Sequence, residues 1–145
     1  MLNPIKEIVK WQMDAGNAAK PYDDFLESSF QIEEALEGYE IEYGFTVDLG
    51  TPKEMSRTIV RAQGPFIGTD VDRLDKACDA IIFAIGSMTK LGLDHHAITK
   101  ALNIVNDANK AKLGMSRDAE GKLLKPEGFV GPEVKLQELL DSIRK

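Results

Sequence analysis

Glu33, Glu34 and Glu37 stand at spacings of three and four, so in a helix Glu33 and Glu34 each lie one turn from Glu37. Carboxylates so placed repel one another unless a cation stands among them. Their all-oxygen donor chemistry suits a hard ion such as Mg²⁺ or Mn²⁺. In helical projection Glu33 and Glu37 fall beside Leu26 and Phe30, so the acids intrude on apolar surface, where a charge needs a compensating cation. A second acidic stripe, Asp72, Asp75 and Asp79, runs on into Ile82, Phe83 and Gly86. Two helices that each present inward acids make a metal site whose remaining positions water and phosphate oxygens can take. A di-iron bundle would want Glu-x-x-His pairs, and neither His95 nor His96 follows a Glu by three positions. Those histidines open a helix just after Asp94 and read as solvent-exposed or capping. For each acidic run, the plain alternative is a solvated helix face.

A third feature is Asn109, which extends the apolar stripe of Ile98, Leu102 and Val105 and so needs hydrogen-bond partners, with Lys112 near the stripe's edge. Residues 110–125 hold five basic residues, Lys110, Lys112, Arg117, Lys122 and Lys125, against the two acids Asp118 and Glu120. Such an arm supplies charge-assisted contacts to phosphate, whereas composition alone makes it an ordinary lysine-rich loop. Beside an acidic metal cage, the phosphate reading gains weight.

These groups need helices to hold them. Pro4 with Ile5, Ile8, Val9 and Met13 predicts a short amphipathic helix ending near Gly16, a lid or brace. After Pro21, Phe25, Ile32, Leu36 and Tyr39 share one side of a helix running from Asp23 to about Glu42. Residues 44–68 hold Gly44, Gly50, Pro52, Gly64, Pro65 and Gly68 and read as a long connector with a short helix near residues 53–61. Asp70 or Asp72 caps the next helix, which passes through Leu74, Cys78, Ile81, Ile82, Ile85 and Met88 to a terminator at Gly92. Its broad apolar coverage predicts a central position. Asp94 caps a helix through Ile98, Ala101, Leu102 and Val105, and the short link turns it back antiparallel on its predecessor. Residues 121–124 read as a short extended arm, and a last helix runs from Pro132 to about Ile143. With no alternating strand pattern, the expected fold is all-α: an antiparallel four-helix-bundle core with short extra helices and a Gly/Lys-rich C-terminal arm, one domain over residues 1–145.

Composition bounds the partners. At 145 residues, 43% apolar and 29% charged, the chain has one domain's length and the make-up of a packed core. The formal charge of −6 is uneven: no Lys or Arg stands between Lys20 and Lys53, where nine acids lie, and everything else nets +3. An isoelectric point near 5.0 disfavours a duplex nucleic-acid binder but admits a single nucleotide. One cysteine, Cys78, permits neither an internal disulfide nor a Cys-based zinc cage, and a reducing, cytoplasmic setting fits. The longest apolar run, residues 80–85, falls far short of the roughly 20 residues a bilayer requires, and the first residues lack a signal-peptide core, so neither membrane nor export is expected.

Taken together, these motifs resemble the all-α nucleotide pyrophosphohydrolase superfamily, which includes MazG-like proteins, all-α dUTPases and dCTPases, and phosphoribosyl-ATP pyrophosphohydrolase. Glu33-Glu34-x-x-Glu37 matches the family's Glu-Glu-x-x-Glu motif. Asp79-Ala80-Ile81-Ile82-Phe83, with Gly86 and Leu91-Gly92-Leu93, resembles its second motif. Asn109-x-x-Lys112 and Gly121-Lys122-Leu123-Leu124-Lys125-Pro126 are similar to segments of phosphoribosyl-ATP pyrophosphohydrolase-like members. The usual Glu-x-x-Asp of the second motif is altered: Lys76 stands three before Asp79, so Asp75 must replace the missing acid. The connector at residues 44–68 is also longer than the family's.

The resemblance implies Mg²⁺- or Mn²⁺-dependent hydrolysis of a nucleoside triphosphate, or a related nucleotide, to a monophosphate and pyrophosphate, by a homodimer or homotetramer. Glu34, Glu37, Asp75 and Asp79 would be the metal ligands, and Glu33 would ligate a second ion or orient the attacking water. Asn109, Lys112 and Lys125 would hold sugar and phosphates. The runner-up is a non-catalytic helical nucleotide- or partner-binding protein with a degenerate metal site, a reading that Lys76 keeps open.

Overall fold

A computed structural model of the chain describes residues 1–43 and 50–145. Among them the chain is all-helical: α1 (Pro4–Asp14), α2 (Asp24–Tyr43), α3 (Pro52–Gln63), α4 (Asp70–Lys90), α5 (His95–Lys110) and α6 (Glu133–Ile143). The arm expected at residues 121–124 forms an isolated antiparallel bridge, Arg117 with Leu123, rather than a named strand.

Local chemistry sets the helix ends. Asn3 Oδ1 accepts from the Ile5 and Lys6 N–H groups at 3.1 and 3.3 Å, and Pro4 takes the first position, where its missing donor costs nothing. Thr51 caps α3 through the Glu54 N–H at 3.2 Å, and Asp94 caps α5 through the Ala97 N–H at 2.9 Å. Gly92 ends the α4 region as expected: at φ 96° it occupies left-handed backbone, which lets the Leu93 N–H reach the Met88 carbonyl at 3.2 Å.

The chain divides into two compact units, one made of Met1–Lys20 with Asp70–Lys145 and the other of Pro21–Thr69. In the first, Leu93, Ala97, Ile98 and Ala101 are buried, and Met88, Leu102, Leu136, Leu139 and Leu140 pack against them. A groove of about 260 Å³ over this cluster, with Leu91 and Val105 on its walls, is lined by apolar side chains and so offers no acid, base or nucleophile. α1 packs along α5, and α5 along α6.

Within the second unit α2 packs along α3, and among the described residues those buried in this pair are Ser29, Glu33, Ser56 and Arg57. Two small serines let the backbones approach, and the other two buried side chains among the described residues of the pair are charged. The short helix expected near residues 53–61 of the connector is present and slightly longer, as Pro52–Gln63, while residues 44–49 lie outside the described residues.

A correction concerns α4. It does not run back along α5; it joins the α5–α6 cluster through Met88 at its C-terminal end. Its apolar residues Leu74, Ile81, Ile82 and Phe83 are exposed in this chain, so broad apolar coverage signalled a need for cover without naming what covers it.

Candidate functional site

The three residues expected to hold sugar and phosphate come together. α5 delivers Asn109 at its last turn, and one turn on, the Lys112 ammonium donates to Asn109 Oδ1 at 3.0 Å. Lys112 Nζ lies 5.6 Å from the centroid of the Phe129 ring and Lys125 Nζ lies 5.4 Å from the same centroid. Both distances are within cation–π range, so one aromatic ring partly offsets two like charges. An anion placed between them would offset their repulsion more completely.

The structure also sorts the basic arm by task. Lys110 is paired with Asp107 at 2.8 Å, and this hydrogen bond holds its ammonium above the ordinary lysine pKa. Arg117 is taken up by the chain itself: it donates to Asn17 Oδ1 at 3.0 Å, to the Gly121 carbonyl at 2.7 Å and to the Ala15 carbonyl. The half-buried Lys112 and the exposed Lys125 are the cations that meet at Phe129.

Phe129 is a residue the sequence reading did not single out, and Arg117, counted there among the bases for phosphate, is instead bonded to Asn17 and to the Gly121 and Ala15 carbonyls. Gly128-Phe129 following Lys125-Pro126 is the signal that marks Phe129. Asn106 is another: at 3% exposure it is the buried amide of α5, whereas Asn109 is half-buried, and Asn106 Nδ2 finds no hydrogen-bond partner among the described residues.

The expected metal ligands lie as two pairs. Glu34 and Glu37 are exposed, one turn apart on α2, and Asp75 and Asp79 are exposed, one turn apart on α4. Each pair offers oxygen donors that fit a hard divalent ion. Among the described residues, no group of three or more His, Cys, Asp or Glu side chains is gathered as a cage.

Glu33 is set apart from the other glutamates. It is 5% exposed, and its Oε2 lies 3.3 Å from Nη1 of Arg57, itself 5% exposed on α3. The same nitrogen donates to Ser56 Oγ at 2.7 Å, and the guanidinium lies 5.3 Å from the Phe30 ring centroid. The compensating cation that partial burial demanded of Glu33 is thus supplied by the protein. His95 and His96 are exposed, with ring centroids 4.0 Å apart beside Asp94, in keeping with the solvent-facing role expected of them.

The chain matches no family model, no curated protein and no solved structure.

Proposed function

We propose that the chain is a metal-dependent nucleotide pyrophosphohydrolase that converts a (deoxy)nucleoside triphosphate, or a phosphoribosyl-ATP-like nucleotide, to a monophosphate and pyrophosphate. The observation that carries this reading is the meeting of Asn109, Lys112 and Lys125 around Phe129. Two ammoniums held near one ring favour a ligand with adjacent negative charges, and Asn109 keeps its amide nitrogen as a donor for a sugar hydroxyl or phosphate oxygen.

Glu34, Glu37, Asp75 and Asp79 would hold Mg²⁺ or Mn²⁺, and a bound ion of this kind offsets phosphate charge and makes water nucleophilic near neutral pH. The antiparallel four-helix core, a homodimer or homotetramer, and a cytoplasmic setting belong to the same proposal; among the described residues no helix is long and apolar enough to cross a membrane. A nucleotide panel assayed with Mg²⁺ and Mn²⁺ tests it: pyrophosphate is released from at least one nucleotide, and Glu37→Gln abolishes the release. No turnover on any nucleotide with either metal overturns the reading.

A second reading, a nucleotide- or partner-binding protein that does not hydrolyse, is favoured by the Glu33–Arg57 pair. A carboxylate held by a buried guanidinium is a weak base and a poor metal ligand. Nucleotide binding without turnover decides for it.

A further inference from the structure

We propose that Arg117 and Trp11 are positioning residues that hold the Lys112–Lys125–Phe129 cluster open for a diphosphate group while touching no ligand themselves. The inference rests on the phosphate-binding reading above and adds the device that makes the cluster rigid. The two lysines belong to one segment that leaves α5 and returns, and like charges near one ring tend to spread that segment apart.

Both ends of the segment are fastened instead to residues 11–20, the first to α1 and the second to the turn that follows it. At the first end the Trp11 indole N–H donates to the Asn109 carbonyl at 3.0 Å, the same oxygen that accepts the Lys112 N–H at 3.0 Å. At the second end Arg117 reaches back to the Ala15 carbonyl and Asn17 Oδ1 just beyond α1, and Lys20 Nζ donates to the Gly121 carbonyl at 2.6 Å.

The loop between is closed on itself, so what holds one part of it holds all of it. Asp118 Oδ1 accepts the Glu120 and Lys122 N–H groups at 2.9 and 3.0 Å, and the Leu124 N–H donates to the Ser116 carbonyl at 2.8 Å, one residue before Lys125. Gly121 permits the turn: its φ is 84°, and a Cβ there would come within 2.8 Å of Lys20 Nζ. α1 and the turn after it thus form a strut fastened to the segment at Asn109, Arg117 and Gly121, and a pre-set geometry reduces the ordering cost that a ligand must meet.

Binding of inorganic pyrophosphate without metal, measured by calorimetry on the full chain, tests this. The intact protein binds it, and the Lys112→Met/Lys125→Met double variant does not. Arg117→Lys keeps the charge but not the fork, Trp11→Phe keeps the ring but not the donor, and each binds pyrophosphate about tenfold more weakly with its helical circular dichroism unchanged. In turnover, the same variants raise KM and leave kcat unchanged. If both single variants bind like the intact protein while the lysine double variant fails, the strut is overturned and the phosphate reading stands. If the intact protein ignores pyrophosphate, or the lysine double variant binds it equally well, the phosphate reading falls and the strut with it.

Discussion

Glu33 and Arg57 face each other with side chains 7% and 6% exposed, so neither charge is shared with bulk water. Removing one charge strips its buried counterpart of this ion pair, a far larger penalty than the net worth of the pair. Arg57→Ala is therefore expected to destabilise the protein by about 3–5 kcal/mol in urea unfolding, whereas Glu33→Leu/Arg57→Met, which removes both charges, costs much less. Equal losses for the single and the double variant would show that packing rather than charge holds α2 to α3. The charge pattern made Glu33 legible as a buried acid, but not its partner. Arg57 lies in a Gly/Pro-punctuated stretch whose composition resembles a connector, and no local spacing rule links two residues on different helices.

At the level of elements, the caps are where sequence reading and structure agree most closely, because a cap is a local bargain between one side chain and backbone groups two or three residues away. Asp94 and Gly92, read as cap and terminator, both act within such a window, whereas Asp70 and Asp72 lie inside the first turn of α4 rather than at its cap. The packing of α4 depends on distant partners, and its sequence reports only that it is apolar.

Asp94 also carries a pH signature. The Ala97 N–H, and then the neighbouring His96 and His95, hold its carboxyl below the ordinary value of 3.8. The unfolded chain takes up the proton first as acid is added, so the cap stabilises fully above pH 3.8 and loses its contribution as pH falls through the lowered folded value. Asp94→Asn, which keeps the acceptor, is expected to melt close to the parent at neutral pH and Asp94→Ala clearly lower, and both lose that part of the acid dependence. An Asp94→Ala protein with the parent's melting curve from pH 3 to 7 would remove the cap from the account of α5.

For the molecule as a whole, charge follows the division into units. Residues 21–69 hold ten acids against three bases, a net of −7, and the rest hold fourteen against fifteen, a net of +1. The acidic excess visible along the sequence is therefore carried by the 21–69 unit, and the other unit is close to neutral. Under the hydrolase proposal, Mg²⁺ at about 100 times its dissociation constant stabilises the folded chain by about 2.7 kcal/mol, and the increment vanishes in Glu37→Gln and in Asp79→Asn. Thermal melts with and without metal read this directly, and melts indifferent to Mg²⁺ and Mn²⁺ would leave the non-hydrolysing reading in possession.

The order of the segments has one more consequence, for synthesis. α1 precedes the 21–69 unit in the chain but packs on α5, and Trp11 must wait for a partner 98 residues later. At ribosomal rates of about 5–20 residues per second, that wait is about 5–20 s. The α2–α3 pair closes from neighbours in sequence well before then. α1 is made before the 21–69 unit but placed after it, so Trp11 and Ile8 stay uncovered on the nascent chain while the α2–α3 pair closes.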